Sequence, residues 1–353
     1  MRRDLDGLPG DDLADAVGRA APALRALDGA SLFVTGGTGF FGRWFLALLA
    51  RARLDFGLDL AVTVLTRDPD GFRRAAPALA GLDILTLIGG DVASFAFPQG
   101  RFTHVVHAAT DTSAAAALDP MRLVSGILDG TRRVVEGAAA AGARRFLYLS
   151  SGAIYGAQAP DVARIPEDEP RACDPLDPRS AYGQAKRLAE QICTLAHARG
   201  DLDPVIARGF AFVGPGLPLG GHFAIGNFIR DAVAGRPIVV SGDGMPLRSY
   251  LYAADLAAWL AVLLVSGTPG AAYNLGSDRA IGIADLARRV AALVPSAAGV
   301  VIRGAPGPDS ARNRYVPSID KARRDLGLEA WTSLDDAIRK TASWAQSQGE
   351  PGS

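Results

Sequence analysis

Tyr182 and Lys186 stand four residues apart in the string AYGQAK, at the start of a stretch with helical spacing, so their side chains share one face. A free tyrosine has a pKa near 10, roughly three units too high for a base at neutral pH. A neighbouring ammonium stabilises the phenolate, which makes Lys186 the tuner and Tyr182 the acid or base. By itself a Tyr-x-x-x-Lys pair is common on exposed helices, and it gains meaning only from the chain around it. Some thirty residues upstream the apolar run RRFLYLS ends in Ser150-Ser151-Gly152-Ala153-Ile154-Tyr155-Gly156. A hydroxyl at that strand end can reach the same substrate oxygen.

A second chemical signal lies near the N-terminus. In TGGTGFFG, Gly36, Gly39 and Gly42 recur at intervals of three, directly after the apolar strand Leu32–Val34 and before an apolar helix opened by Phe40 and Phe41. Glycines there allow a tight turn and close approach of a pyrophosphate, whose charge meets backbone N–H groups at the helix start, so a nicotinamide dinucleotide is the expected cofactor. Phe40 and Phe41 are counted among the cofactor-binding residues, with their rings read as core and not as stacking surfaces. Sites that prefer NAD carry an acidic residue at the end of the second strand, whereas this chain has Leu65-Thr66-Arg67-Asp68. Thr66 with Arg67 suits a 2′-phosphate, and NADP is the preferred reading; NAD is the alternative, with Asp68 turned to the ribose. Asp91, followed by Val92 in GGDV, either meets the adenine amine or caps its own turn. His107, Ala108 and Ala109 of THVVHAA are placed near the cofactor by their backbone, with no acid/base duty for His107.

These groups need a scaffold. Strand-like runs at SLFVT, LAVTVLT, DILTLIG, THVVHAA, RRFLYLS and DPVIARGF alternate with helical stretches, which predicts a doubly wound parallel α/β sheet of Rossmann type. Past residue 209 the pattern breaks into Gly/Pro-rich segments, read as a smaller C-terminal substrate-binding lobe. The expected organisation is an N-terminal extension over 1–29 carrying a surface helix, a dinucleotide-binding domain over 30–208 plus about 247–265, and the second lobe over 209–246 and 266–345. The chain has 353 residues, 49% of them hydrophobic, which suffices for a large core. Lys+Arg and Asp+Glu each number 37, so no global field draws it to nucleic acid or an anionic membrane. Its two cysteines, Cys173 and Cys193, have neither metal nor redox spacing, and no metal site is expected. Acidic residues near the start and the lack of a long apolar run predict a cytoplasmic protein with no membrane partner.

Taken in order, TGGTGFFG, HAA, SSGAIYG and YGQAK resemble the extended short-chain dehydrogenase/reductase superfamily, and among its members the nucleotide-sugar epimerases and dehydratases. The likeness runs from about Ser31 to Leu328. It implies a Ser/Thr-Tyr-Lys triad, with the hydroxyl on Ser151 when counted back from Tyr155, and a nucleotide-sugar substrate. It implies substrate contacts from Gly152, Ala153, His222, Asn227 and Arg248, and a phosphate contact from Arg312 or Arg314. A homodimer packed through helices at 120–141 and 182–199 is also implied. Members that remove water carry an Asp-Glu pair after the catalytic hydroxyl, where this chain has Gly152 and Ala153. Neither can transfer a proton, which favours oxidoreduction or epimerisation through a keto-sugar. A lyase with unfamiliar acid/base groups and a non-catalytic dinucleotide sensor are the competing readings.

Overall fold

The computed structural model describes residues 4–110, 118–221, 223–305 and 313–348. His222 and Arg312 lie outside the described residues. Six strands, β1 (Ala30–Thr35), β2 (Leu60–Thr66), β3 (Leu85–Gly89), β4 (His104–His107), β5 (Arg145–Ser151) and β6 (Asp203–Gly209), join the strand Ala272–Leu275 in one sheet. All neighbours are parallel, and the order is Ala272–Leu275, β6, β5, β4, β1, β2, β3. Strand order reverses between β1 and β4, the switch point at which such sheets open a crevice at their carboxyl ends.

Apolar residues on both faces of each strand explain why helices cover both sides. Leu32 and Val34 of β1 pack into one layer with the helices Phe40–Phe56 and Ala253–Ser266. Phe33, between them, points into the opposite layer with the helices Pro120–Ala140 and Ala181–Ala198. The strand Ala272–Leu275, expected in the second lobe, belongs to the main sheet. The intervening helix Ala253–Ser266 makes a crossover that returns the chain parallel to β6, and the four-residue strand was too short to register as a further repeat of the pattern.

The second difference concerns the extension. The helix Gly10–Arg19 is not a surface appendage, because Leu13, Val17, Leu24 and Leu27 are all buried in the main core against the Phe40–Phe56 and Ala253–Ser266 helices. Alanines were the missed signal: Ala16 on this helix, Ala20 at its end and Ala23 on the short helix Ala21–Arg25 widen the apolar stripe enough for close packing. Polar groups seal the contact. The Tyr252 hydroxyl donates to Asp12 at 2.6 Å, Arg19 pairs with Asp255 at 2.5 Å, and Asp6 accepts from the N–H groups of Ala78 and Leu79.

The remaining elements frame one side of the crevice. Short strands Leu247–Arg248 and Arg314–Tyr315 pair in parallel, with Ile281–Gly282 antiparallel on the other edge, while the helices Ala224–Val233 and Ile283–Leu293 pack beside them.

One buried chain of hydrogen bonds ties β1, β4 and the Pro120–Ala140 helix together. The Thr131 hydroxyl donates to Ile127 O at 2.7 Å, so it must accept from His107 Nε2 at 3.1 Å. His107 Nδ1 then accepts from Thr35 Oγ1 at 2.7 Å, and Thr35 Oγ1 accepts the Ala109 N–H at 3.1 Å. Every site on the neutral ring is used. Burial, helped by the charge of Lys186, lowers the His107 pKa from 6.5 to about 3. The unfolded chain therefore takes up a proton first on acidification, and the stability from this group is full above about pH 6.5 and lost as pH falls toward 3. His107→Gln keeps a donor and an acceptor without the titration. Thermal denaturation from about pH 8 to pH 4 should show a shallower acid loss in the variant, with His104, lowered to about 4 by burial and Arg145, supplying the remainder. Parallel acid losses in the two proteins would remove His107 from this role.

Candidate active site

At the carboxyl end of β1 the chain turns with Gly36 at φ +74°. A Cβ on Gly36 would lie 2.6 Å from the carbonyl carbon of Ala108 and 2.7 Å from Ala109 N, so the turn and the HAA backbone touch only because a side chain is missing. Gly42 has the same constraint on the helix side, where a Cβ would come within 2.3 Å of Gly36 O and Gly37 Cα. Gly39 differs. Its nearest neighbour to an added Cβ is Gly36 O at 3.5 Å, and it caps the Phe40–Phe56 helix with no side-chain acceptor. The first-turn N–H groups of that helix are left for an anion, and this cradle fits the pyrophosphate of the expected dinucleotide. The Phe40 and Phe41 rings face away into packing, Phe41 edge-on to Phe212 at 4.6 Å.

At the end of β2, Thr66 is buried and Arg67 is exposed. Asp68 caps the helix Pro69–Ala75 by accepting from Gly71 N at 2.8 Å, which directs its carboxylate into that turn. Asp91 likewise accepts from Ala93 N at 2.9 Å, the turn-capping alternative, while Val92 packs on Gly130.

The catalytic candidates converge where β5 ends. Ser151 starts a 3-10 turn, Gly152–Tyr155, with its oxygen accepting from Ala153 N at 3.1 Å. Gly183 explains how Tyr182 reaches it: a Cβ there would stand 2.5 Å from Ala153 O, so the Ala181–Ala198 helix can close on the turn only with glycine after Tyr182. Burial raises the Tyr182 pKa, and hydrogen bonding with Ser151 opposes the rise. The neighbouring Ser150 points the other way, donating to Glu190 at 2.5 Å, and this separates the two serines that sequence alone left adjacent.

Lys186 is only 2% exposed. Its ammonium donates to Leu149 O at 2.6 Å and lies over the Tyr148 ring at 4.9 Å. Burial lowers its pKa to about 7 against the opposing charge of Glu190. Lys186 shares a helix with Tyr182, and its ammonium is anchored by Leu149 O at the strand end that carries Ser151.

Across the crevice, Tyr315 and Phe210 cover Gly152. A Cβ on Gly152 would lie 2.6 Å from the Tyr315 hydroxyl and 2.8 Å from Phe210 Cζ, and the two rings meet at 4.6 Å with their planes tilted by 36°. Ser151 acts by hydrogen bonding on the Tyr315 phenol as well as on Tyr182. Arg248 sits beside Tyr315 with its guanidinium on Leu247 O, Asn313 O and Asn313 Oδ1, at 2.8 to 3.1 Å. Its partners among the described residues are neutral oxygens, which leaves its charge available to an anion. Arg314 lies on the other face of its strand. Strand alternation turns it away from Tyr315 toward Val162 O at 3.4 Å, into an open groove of about 760 Å³ that Arg164 and Arg279 also line. Asn227 is engaged locally, donating to Gly221 O and accepting from Arg230.

Sequence reasoning overlooked Tyr315, Gly183, Glu190 and Arg208. Two carried a legible signal: Glu190 follows Lys186 by four on the same helix face, and Tyr315 adjoins Arg314 in a period-two strand. Arg208 had none, since its partners are distant in sequence: Glu190 Oε2 at 2.8 Å, the Tyr155 hydroxyl at 2.7 Å and Glu167 O at 2.8 Å.

Comparison with known proteins agrees with this layout. UDP-glucuronic acid decarboxylase 1 of Xenopus tropicalis is 27% identical over 328 residues, covering 93% of this chain and 75% of that protein. Among solved structures, an epimerase from Methanothermobacter thermautotrophicus superposes with a TM-score of 0.78 at 26% identity, covering 94% of this chain and 96% of its own. A dTDP-glucose 4,6-dehydratase from Streptomyces venezuelae, solved with NAD bound, shares the fold with a TM-score of 0.76 at 23% identity over 90% of this chain and 97% of its own. The family model for the NAD dependent epimerase/dehydratase family matches residues 32–276, from the first strand of the sheet to its last, and the chain belongs to that family.

Proposed function

We propose that the protein is a nicotinamide-dependent enzyme that changes the redox state or stereochemistry of a carbon in a nucleotide-linked sugar, through a keto form and without expelling water. The observation that carries this reading is the Ser151 hydroxyl set between two phenols, Tyr182 and Tyr315, and followed by two residues with no carboxyl group. Proton transfer at a sugar oxygen is available there. Elimination, which needs a positioned acid and base, is not supplied by positions 152 and 153.

Gly36, Gly39 and Gly42 would hold the pyrophosphate of the dinucleotide, with the backbone of Ala108 and Ala109 beside it. Bound there, the nicotinamide supplies or accepts the hydride. Ser151 orients the sugar oxygen, and Tyr182 gives or takes its proton. Because burial holds the Tyr182 pKa up, the phenol keeps its proton at neutral pH and is ready to donate it to a ketone oxygen. A cofactor released after each turnover would give net reduction, and one retained in the site would give epimerisation. Arg248 is assigned to the substrate diphosphate, since its charge meets only neutral oxygens. A decarboxylase is the second reading, favoured by the similarity to UDP-glucuronic acid decarboxylase. A β-keto acid can release carbon dioxide without an acid/base pair at positions 152 and 153.

NADP is proposed over NAD, because Thr66 and Arg67 end β2 while Asp68 is committed to capping the next helix. A cytoplasmic location is proposed as well; among the described residues no helix is long and apolar enough to cross a membrane. The helices Pro120–Ala140 and Ala181–Ala198 lie side by side and expose Met121, Leu188 and Leu195, and we assign this face to a homodimer.

Incubated with UDP- or dTDP-linked keto-sugars and NADPH, the protein should yield a product heavier by two hydrogens, read by mass spectrometry. Tyr182→Phe should cut turnover at least about a hundredfold while cofactor affinity holds. Catalytic loss of water would overturn the assignment, and loss of carbon dioxide from a nucleotide-linked uronic acid would install the second reading. Calorimetric titration should find NADPH tighter than NADH, with Arg67→Ala weakening NADPH selectively by about 1–3 kcal/mol; tighter NADH binding and an indifferent Arg67→Ala would reverse the cofactor choice. Light scattering should give the mass of a dimer for the parent and of a monomer for Leu188→Glu/Leu195→Glu, and a monomeric parent would dismiss the helical interface.

A further inference from the structure

Beneath the floor formed by Ser151 and Tyr182 lies a cluster that the proposed chemistry does not use. Glu190 is 7% exposed, one helical turn past Lys186 and two past Tyr182 on the same helix. Its Oε1 accepts from Ser150 at 2.5 Å and from Arg208 Nε at 3.1 Å, and its Oε2 accepts from Arg208 Nη2 at 2.8 Å. Ser150 immediately precedes Ser151 on β5, and Lys186 binds the carbonyl of Leu149, one residue earlier. The carboxylate therefore grips the strand end that presents Ser151 and also shares a helix face with the lysine.

The remaining groups around it are accounted for. Arg208 extends to the Tyr155 hydroxyl and Glu167 O, and the Tyr155 hydroxyl donates to Asn274 Oδ1 at 2.8 Å. Cys193, Tyr148 and His107 are the other titratable side chains that interact electrostatically with Lys186 or Glu190, and all three are buried. Burial holds the thiol of Cys193 and the phenol of Tyr148 neutral, and it keeps His107 unprotonated. Glu190, paired with Arg208 and one helical turn from Lys186, is the carboxylate that acts on the buried ammonium.

We propose that Glu190 is a positioning residue for the active site: held by Ser150 and Arg208, its carboxylate is the counter-charge that keeps Lys186 an ammonium inside the protein and fixes the strand end carrying Ser151. This rests on the Ser151, Tyr182 and Lys186 assignment above, but it can be tested without substrate. Removing the carboxylate leaves the lysine with burial alone, which favours the neutral amine. The cluster then loses the Lys186 charge near neutral pH.

The chain contains three lysines, Lys186, Lys321 and Lys340, so protein labelled with carbon-13 at lysine Cε gives a spectrum in which Lys186→Met identifies the Lys186 signal. Titration of that signal by NMR should show its midpoint falling by at least about one pH unit in Glu190→Gln and staying near the parent in Glu190→Asp. Should Glu190→Gln fail to fold with Arg208 unpaired, Glu190→Gln/Arg208→Gln is compared with Arg208→Gln, and the Lys186 midpoint should fall by at least about one pH unit between those two. An unchanged Lys186 midpoint in either folded variant overturns the proposal. A parent that fails to turn over nucleotide-sugars leaves this measurement standing and counts only against the proposed function.

Discussion

An ammonium that has given up its water must be compensated from within, and much of the catalytic half of this molecule is arranged around that requirement at Lys186. The charge meets Leu149 O and the Tyr148 ring directly, and Glu190 through the helix. Glu190 in turn is held by Ser150 and Arg208, Arg208 by Tyr155 and the Glu167 carbonyl, and Tyr155 by Asn274. Asn274 closes the series by donating to Ile165 O and Ser318 O, where Ile165 bridges to Pro317 of the second lobe. The Lys186 charge is thus linked, electrostatically to Glu190 and onward by hydrogen bonds, to the segments around Ile165 and Ser318. Removing one partner from such a network costs more than its bond alone, because a desolvated neighbour is left unsatisfied.

The second organising constraint is steric. Four contacts in the site are backbone or ring approaches that an ordinary side chain would block: Gly36 on Ala108, Gly42 on Gly36, Gly183 on Ala153 and Gly152 under Tyr315. The first two shape the turn after β1, the third joins the helix of Tyr182 to the turn of Ser151, and the fourth lets two aromatic rings cover Gly152 beside the Ser151 hydroxyl. Only Gly36 among them needs a positive φ. For the others the requirement is space, which explains why glycine spacing carried so much of the functional information.

The sheet was legible because its strands are apolar on both faces and separated by helical periods, and the strand-end motifs therefore fell at one edge as expected. The strand Ala272–Leu275 escaped because its partner is set by a crossover rather than by its own pattern. The alanine-rich face of Gly10–Arg19 was underrated, since small residues give weak periodicity but close packing. In the site, Tyr182, Lys186 and Gly36 could be found from spacing. Ser151 was reached through the resemblance, counted back from Tyr155; the physical distinction, Glu190 held by Arg208 and claiming the Ser150 hydroxyl from below, has no local signal in the chain. Arg314 was grouped with Arg312 by sequence proximity, and the alternation of a two-residue strand sent it to another surface.

The lid over Gly152 also constrains how this protein could change. An acidic side chain at 152, which the resemblance assigns to members that remove water, would begin 2.6 Å from the Tyr315 hydroxyl and collide with Phe210. The two positions are therefore energetically coupled, and their substitutions will not add. A lineage acquiring that carboxylate has to shrink or displace Tyr315 beforehand, while the reverse order passes through an overpacked intermediate. The accessible evolutionary path between the two chemistries is then directional, opened from the far side of the crevice rather than at the catalytic strand.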